Sequence, residues 1–132
     1  RATLDVDGSV RLKTYFEAVK SVSPSSNVVT INLSEAQTFD VDVTSAINSF
    51  TITNIPSDSS SFTLKVSQDS TGGYAVGIDT FRTSGGAAIP VFWSGSVVPV
   101  VTTTASKTDI YNFITFDGGS SFYGVSGGQN FG

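Results

Sequence analysis

Residues 38–67 read TFDVDVTSAINSFTITNIPSDSSSFTLKVS, and this stretch decides the fold class. Phe39, Val41 and Val43 alternate with Asp40, Asp42 and Thr44; Phe50 and Ile52 alternate with Thr51 and Thr53; Phe62, Leu64 and Val66 alternate with Thr63, Lys65 and Ser67. Side chains of an extended strand point to opposite faces in turn, so period-2 alternation marks a strand with one apolar and one wet face. Pro56-Ser57-Asp58-Ser59 separates the last two runs with residues that favour turns. Outward from this centre the pattern continues. Val29, Ile31 and Leu33 make another strand, and Val28 suggests partial cover of its second face. Asp117-Gly118-Gly119, between Ile110–Phe116 and Phe122–Val125, is the strongest short-range hairpin signal in the chain. Strand-like runs about ten residues apart predict an all-β protein, an antiparallel sandwich or barrel, of which the jelly-roll-like antiparallel β-sandwich is the reading adopted.

Some segments read less simply. Thr14–Val22 predicts a bent strand, with a short helix as the alternative, and Thr80–Gly86 reads as a loop. Ala88–Trp93 reads as an edge strand, since Pro90 has no N–H to give to a ladder. Leu4–Val10 (LDVDGSV) reads as strand, tight turn, strand, the rung of a preceding shaft. The chain divides into residues 1–12, the end of a shaft or linking strand, and 13–132, one domain. It opens on Arg1 and contains no Met, and the expectation is of a piece cut from something longer.

Composition narrows the function classes. Only 14% of residues are charged, against about 25% in an average soluble domain. Ser and Thr fill the gap at more than a quarter of the chain, as suits strands and turns. The net charge of −4 and the scattering of seven cations argue against nucleic acid, which needs clustered Lys and Arg. No run of 18 apolar residues is present, so no membrane-inserting helix is expected. There is no Cys and no His. That removes disulfides, thiolate chemistry, the usual general base and the commonest metal ligands, so no catalytic residue, cofactor or metal is assigned.

The remaining candidates each have a plainer reading. Asp5/Asp7 and Asp40/Asp42 are i, i+2 carboxylate pairs, but the second alternates with Phe39, Val41 and Val43 and so belongs to a solvated sheet face. Asp109 and Asp117 flank a strand and read as turn caps. The Gly doublets at 72–73, 85–86, 118–119 and 127–128 read as turns with positive φ, since none sits between a strand and a helix. Asn32-Leu33-Ser34 matches a glycosylation sequon by chance, inside a strand. Exposed aromatic rings can stack on sugars, and Trp93, Tyr111 and Tyr123 are the candidate contacts with a glycan or receptor.

Lys107–Phe131 (KTDIYNFITFDGGSSFYGVSGGQNF) resembles the terminal segment of bacteriophage tail-fibre and related virion-fibre domains, cyanophage-like ones included. TYFEAVKSV, TINLSEAQTFDVDVT, NSFTITNIP, SSFTLKVSQDSTGGYAV and PVFWSGSVVPVVTTTASKTDI follow that family's order, so the resemblance covers Lys13 to Gly132. The chain departs from it at Phe122, where the family often has a second Trp, and at Gly77–Ile78, where it has Trp-Pro. The resemblance implies a β-sandwich fibre domain at the virion surface, built as a homotrimer. Its implied partners are copies of itself, other virion proteins and a glycan or protein of the host surface. A capsid decoration protein and a stand-alone carbohydrate-binding module are the alternatives.

Overall fold

A computed structural model describes residues 4–132. Strands β1 (Val19–Val22), β2 (Val28–Asn32), β3 (Thr38–Val43), β4 (Ser49–Thr53), β5 (Ser60–Gln68) and β6 (Phe81–Arg82) come first. After them come β7 (Ala88–Ile89), β8 (Val91–Trp93), β9 (Thr108–Thr115) and β10 (Phe122–Phe131). Among the described residues the only helical turn is the 3-10 turn Ser94–Ser96. One sheet has the order β1-β3-β5-β9-β10-β8, the other β2-β4-β6-β7. They pack face to face as an all-β sandwich.

The alternation read from the sequence is the burial pattern. Phe39, Val41 and Val43 on β3, Phe50 and Ile52 on β4, and Phe62, Leu64 and Val66 on β5 are all buried between the sheets. Phe62 lies at the centre. It stacks on Phe113 at 5.3 Å and on Phe81 at 6.0 Å, and meets Phe122 and Phe39 edge-on at 5.7 and 6.4 Å. Phe81 belongs to the opposite sheet, so this aromatic column joins the layers. Burying each such ring stabilises the fold by about 3 kcal/mol.

The strand pairing corrects the antiparallel, jelly-roll expectation. β1–β3, β3–β5, β2–β4, β4–β6 and β8–β10 are parallel; β5–β9, β9–β10 and β6–β7 are antiparallel. From β1 to β6 the chain changes sheet at every strand, and each new strand lies parallel to the one two before it. This is a flattened coil, two strands to a turn, which the antiparallel β9–β10 hairpin then closes. Parallel neighbours need a crossover connection, and here the opposite sheet supplies it in place of the usual helix.

Three local expectations also change. Residues 4–18 contain no strand, only bends at Asp7-Gly8 and Lys13, so the expected strand–turn–strand at Leu4–Val10 is not formed within this chain; residues 1–3 of the proposed shaft segment lie outside the described residues. Of Thr14–Val22 only the last four residues are strand. Thr80–Gly86 is not all loop, because Phe81 is drawn into the core and pairs with Phe50. Pro90 does sit at an edge: the chain crosses there from β7 in one sheet to β8 in the other, and Pro90 C=O accepts the Phe122 N–H at 2.9 Å.

Candidate interaction surface

The three aromatic residues proposed as ligand contacts do not form one site. Tyr111 is fully buried, so it can touch no ligand, and that assignment is corrected. The reason is its place on β9, where Asp109, Tyr111, Phe113 and Thr115 form the inward row. Trp93 is half-buried. Its ring lies edge-on to Phe113 at 5.6 Å and to Tyr111 at 6.2 Å, in space left open by Gly124. A Cβ on Gly124 would come within 2.6 Å of the indole, which explains the glycine directly opposite Trp93 in the register. The indole N–H is buried without a partner.

Tyr123 is different. It is 49% exposed on the outer face of the six-stranded sheet and has two companions outside the three candidate contacts. Phe92, directly opposite it on β8, lies 5.7 Å away and tilted by 44°. Phe116 meets it edge-on at 5.8 Å. Phe92 and Phe116 are 51% and 68% exposed. Val125 is exposed on the same face, and Ile114 stands opposite Tyr123 on β9. The surface is therefore divided. Its β8-β10-β9 end is aromatic and aliphatic, whereas its β5-β3 end carries Thr38, Asp40, Thr63 and Lys65, with Lys65 and Asp40 paired at 3.6 Å. The Phe92 signal lay next to Trp93; alternation would have put the two on opposite faces, Phe92 outward.

Several polar residues of Lys107–Phe131 are engaged internally. Asp109, 1% exposed, accepts hydrogen bonds from Thr102 N–H, Asn130 N–H and the Tyr111 hydroxyl, each at 2.8 Å, and from Gln129 Nε2 at 3.1 Å. Burial by itself would raise its pKa. The Thr102 and Asn130 N–H groups, then the Tyr111 hydroxyl, outweigh burial and hold the carboxyl below its ordinary 3.8. Tyr111 is pushed well above its ordinary 10.0 by burial and by the hydrogen bond and charge of Asp109. Asp109 is thus not a turn cap but the centre of a clasp joining β9, β10 and the 100–102 segment.

A second clasp does match the turn reading. Asp117 accepts from Thr115 Oγ1, Ser121 N–H and Ser121 Oγ, while Gly119 N–H donates to Thr115 Oγ1. Gly118 and Gly119 have φ of +69° and +90°, and a Cβ on either would strike Ser57 or Ile55. In a third, the buried Gln68 amide bonds Tyr74 N–H and C=O and Thr102 C=O.

Glu17 and Glu35 border a cleft of about 400 Å³, where Glu17 accepts from Thr38 Oγ1 and Glu35 pairs with Lys20 at 3.2 Å. Among the described residues no cluster of acidic groups is placed to hold a metal ion. Asn32, in the chance sequon, ends β2 and accepts from Ser34 N–H, Ser34 Oγ and Asn54 Nδ2. Comparison of the chain with known protein families, curated proteins and solved structures gives no match.

Proposed function

We propose that this chain is a distal domain of a virion fibre that assembles as a homotrimer at the virion surface and contributes to host-surface attachment. The observation behind the self-assembly is the outer face of the six-stranded sheet, where Phe92, Phe116, Tyr123 and Val125 stand exposed side by side. Contiguous apolar surface of that kind marks an interaction site. The rings are mutually tilted rather than coplanar, so the patch suits interdigitation with side chains of another protein better than stacking on a flat sugar face. The fibre context rests on the ordered motifs from TYFEAVKSV to GGQNF. Their polar members serve the clasps, in keeping with a structural part.

The experiment is the solution mass by light scattering after size exclusion, on the wild type and on the double variant Phe92→Asp/Phe116→Asp. The reading expects a mass near three times 13.8 kDa for the wild type and a fall toward 13.8 kDa for the variant. A wild-type mass of 13.8 kDa at all concentrations would sink it. A trimer on the capsid lattice instead of a fibre, seen in virion images, would favour a decoration protein.

A further inference from the structure

The chain contains the dipeptide Asp-Gly twice, at Asp7-Gly8 and Asp117-Gly118, and Asn-Gly nowhere. The pair matters because the backbone nitrogen after an aspartate can attack the side-chain carboxyl carbon. A five-membered succinimide closes and one water leaves. One water then reopens the ring at either carbonyl, so the atoms balance with no oxidant or reductant. One opening restores aspartate. The other gives an isoaspartyl linkage, in which the main chain runs through the side-chain carbonyl and the former α-carboxyl is free. A Cβ on the following residue crowds the attacking nitrogen, so glycine is the neighbour that best permits closure. The other seven aspartates precede Val, Ser, Thr or Ile.

The fold puts the two pairs in opposite surroundings. The Asp117 carboxylate accepts from Thr115 Oγ1 at 2.9 Å, Ser121 N–H at 3.0 Å and Ser121 Oγ at 2.8 Å. The two bonds from Ser121, then that from Thr115, hold its pKa below the ordinary 3.8 and keep it in the ionised form, which resists nucleophilic attack. Gly118, at a φ of +69°, lies so close to Ser57 that a Cβ there would stand 2.7 Å from the Ser57 carbonyl oxygen. Ring closure swings the carboxyl carbon back over the following peptide, which at Asp117 means breaking the clasp and lifting the turn off the domain. At Asp7 nothing comparable resists. Asp7 and Gly8 are exposed, and among the described residues no hydrogen bond or ion pair engages either one. A Cβ on Gly8 would meet no atom within 4 Å, and residues 4–18 form no strand whose pairing opposes the rotation.

We infer that Asp7 is a site of spontaneous isoaspartyl formation in this protein, and that the clasp of Thr115 and Ser121 protects Asp117 from the same reaction. The conversion does not depend on the assembly proposed above. Its effect on the segment is defined by the chemistry. The isoaspartyl form inserts one extra carbon into the backbone between Val6 and Gly8, so Leu4 and Val6 lose the period-2 step that relates them to Val10 and Leu12. It also presents a free α-carboxylate, the group that isoaspartyl-specific methyltransferases esterify.

Trypsin separates the two sites, placing Asp7 in the peptide of residues 2–11 and Asp117 in that of residues 108–132. The folded chain is incubated at mildly acidic pH in heavy-oxygen water and digested, and the peptides are resolved by chromatography and mass spectrometry. Labelling with an isoaspartyl methyltransferase counts the linkages independently. The expected result is a second peak of peptide 2–11, of unchanged sequence and carrying one heavy oxygen, that grows with time. Its isoaspartyl content should exceed that of peptide 108–132 by about tenfold or more, because closure at Asp117 must first give up a hydrogen bond to a charged group. In urea peptide 108–132 should convert too, and the difference should collapse. Asp7→Glu, which would need a six-membered ring, should lose the second peak with its far-UV circular dichroism unchanged. A peptide 2–11 that stays a single peak overturns the site at Asp7. Equal conversion of both peptides in the folded chain, or a difference that persists in urea, overturns the protection of Asp117.

Discussion

At the scale of single residues, Asp109 sets the acid limit. Its folded pKa lies below the ordinary 3.8, so its ionised form favours the native state. That contribution is complete above the unfolded value and is lost as pH falls through the folded one, below about pH 4. Melting temperatures followed from pH 7 to pH 2 should drop in that window, and Asp109→Asn should flatten the drop. The variant should also lose about 1–3 kcal/mol at neutral pH, because it turns an amide toward donors that need an acceptor. Tyr111 sets the alkaline limit by the reverse sign. Its raised pKa means stability present below 10 and lost as pH rises beyond it, an effect Tyr111→Phe should remove. Gly119→Ala, at a φ of +90° with a Cβ only 2.6 Å from the Ile55 side chain, should cost about 1–3 kcal/mol in chemical denaturation. Asp109 was misread in the sequence for a physical reason. The Lys107-Thr108-Asp109 context looks like a turn, and the groups that satisfy the carboxylate come from residues 102, 111, 129 and 130, three of them remote or contributed by backbone.

At the scale of elements, alternation told which residues face inward but not which strands are neighbours. Phe39-Asp40-Val41 buries the same side chains whether its partner runs parallel or antiparallel, so the reading of β3 and β4 was correct in face and wrong in direction, and that of β5 was wrong only on the side that pairs with β3. β6–β7 and β9–β10 are each linked by a short turn, and at β9–β10 the Asp-Gly-Gly signal gave direction as well. β6 escaped notice because two residues cannot display a period; Phe81 alone marks it. The aromatic column makes a measurable claim about these elements. Phe62 touches rings from β3, β6, β9 and β10, and Phe62→Ala should lower stability by about 3–5 kcal/mol. Phe92→Ala, on the outer face of β8, should cost under about 1 kcal/mol while weakening self-association; a loss as large as that of Phe62 would mean the ring supports the fold instead.

At the scale of the whole molecule, the sandwich has a wet half and an apolar half on one outer face. This asymmetry does not follow from composition, since it depends on which strand lies beside which. Among the candidate contacts, Tyr123 was legible as an exposed ring, whereas its neighbours Phe92 and Phe116 join it only through the β8–β10–β9 order. That order also has a consequence in time. β8 and β9 precede β10 along the chain, yet β10 lies between them. During synthesis β8 waits with no neighbour in its sheet until residues 122–131 have emerged, and Tyr123 cannot meet Phe92 before then. The aromatic face is thus the last part of its sheet to come into being. If the patch is the contact between copies, nascent chains crowded on one messenger do not join through it before the β8–β10–β9 sheet is complete.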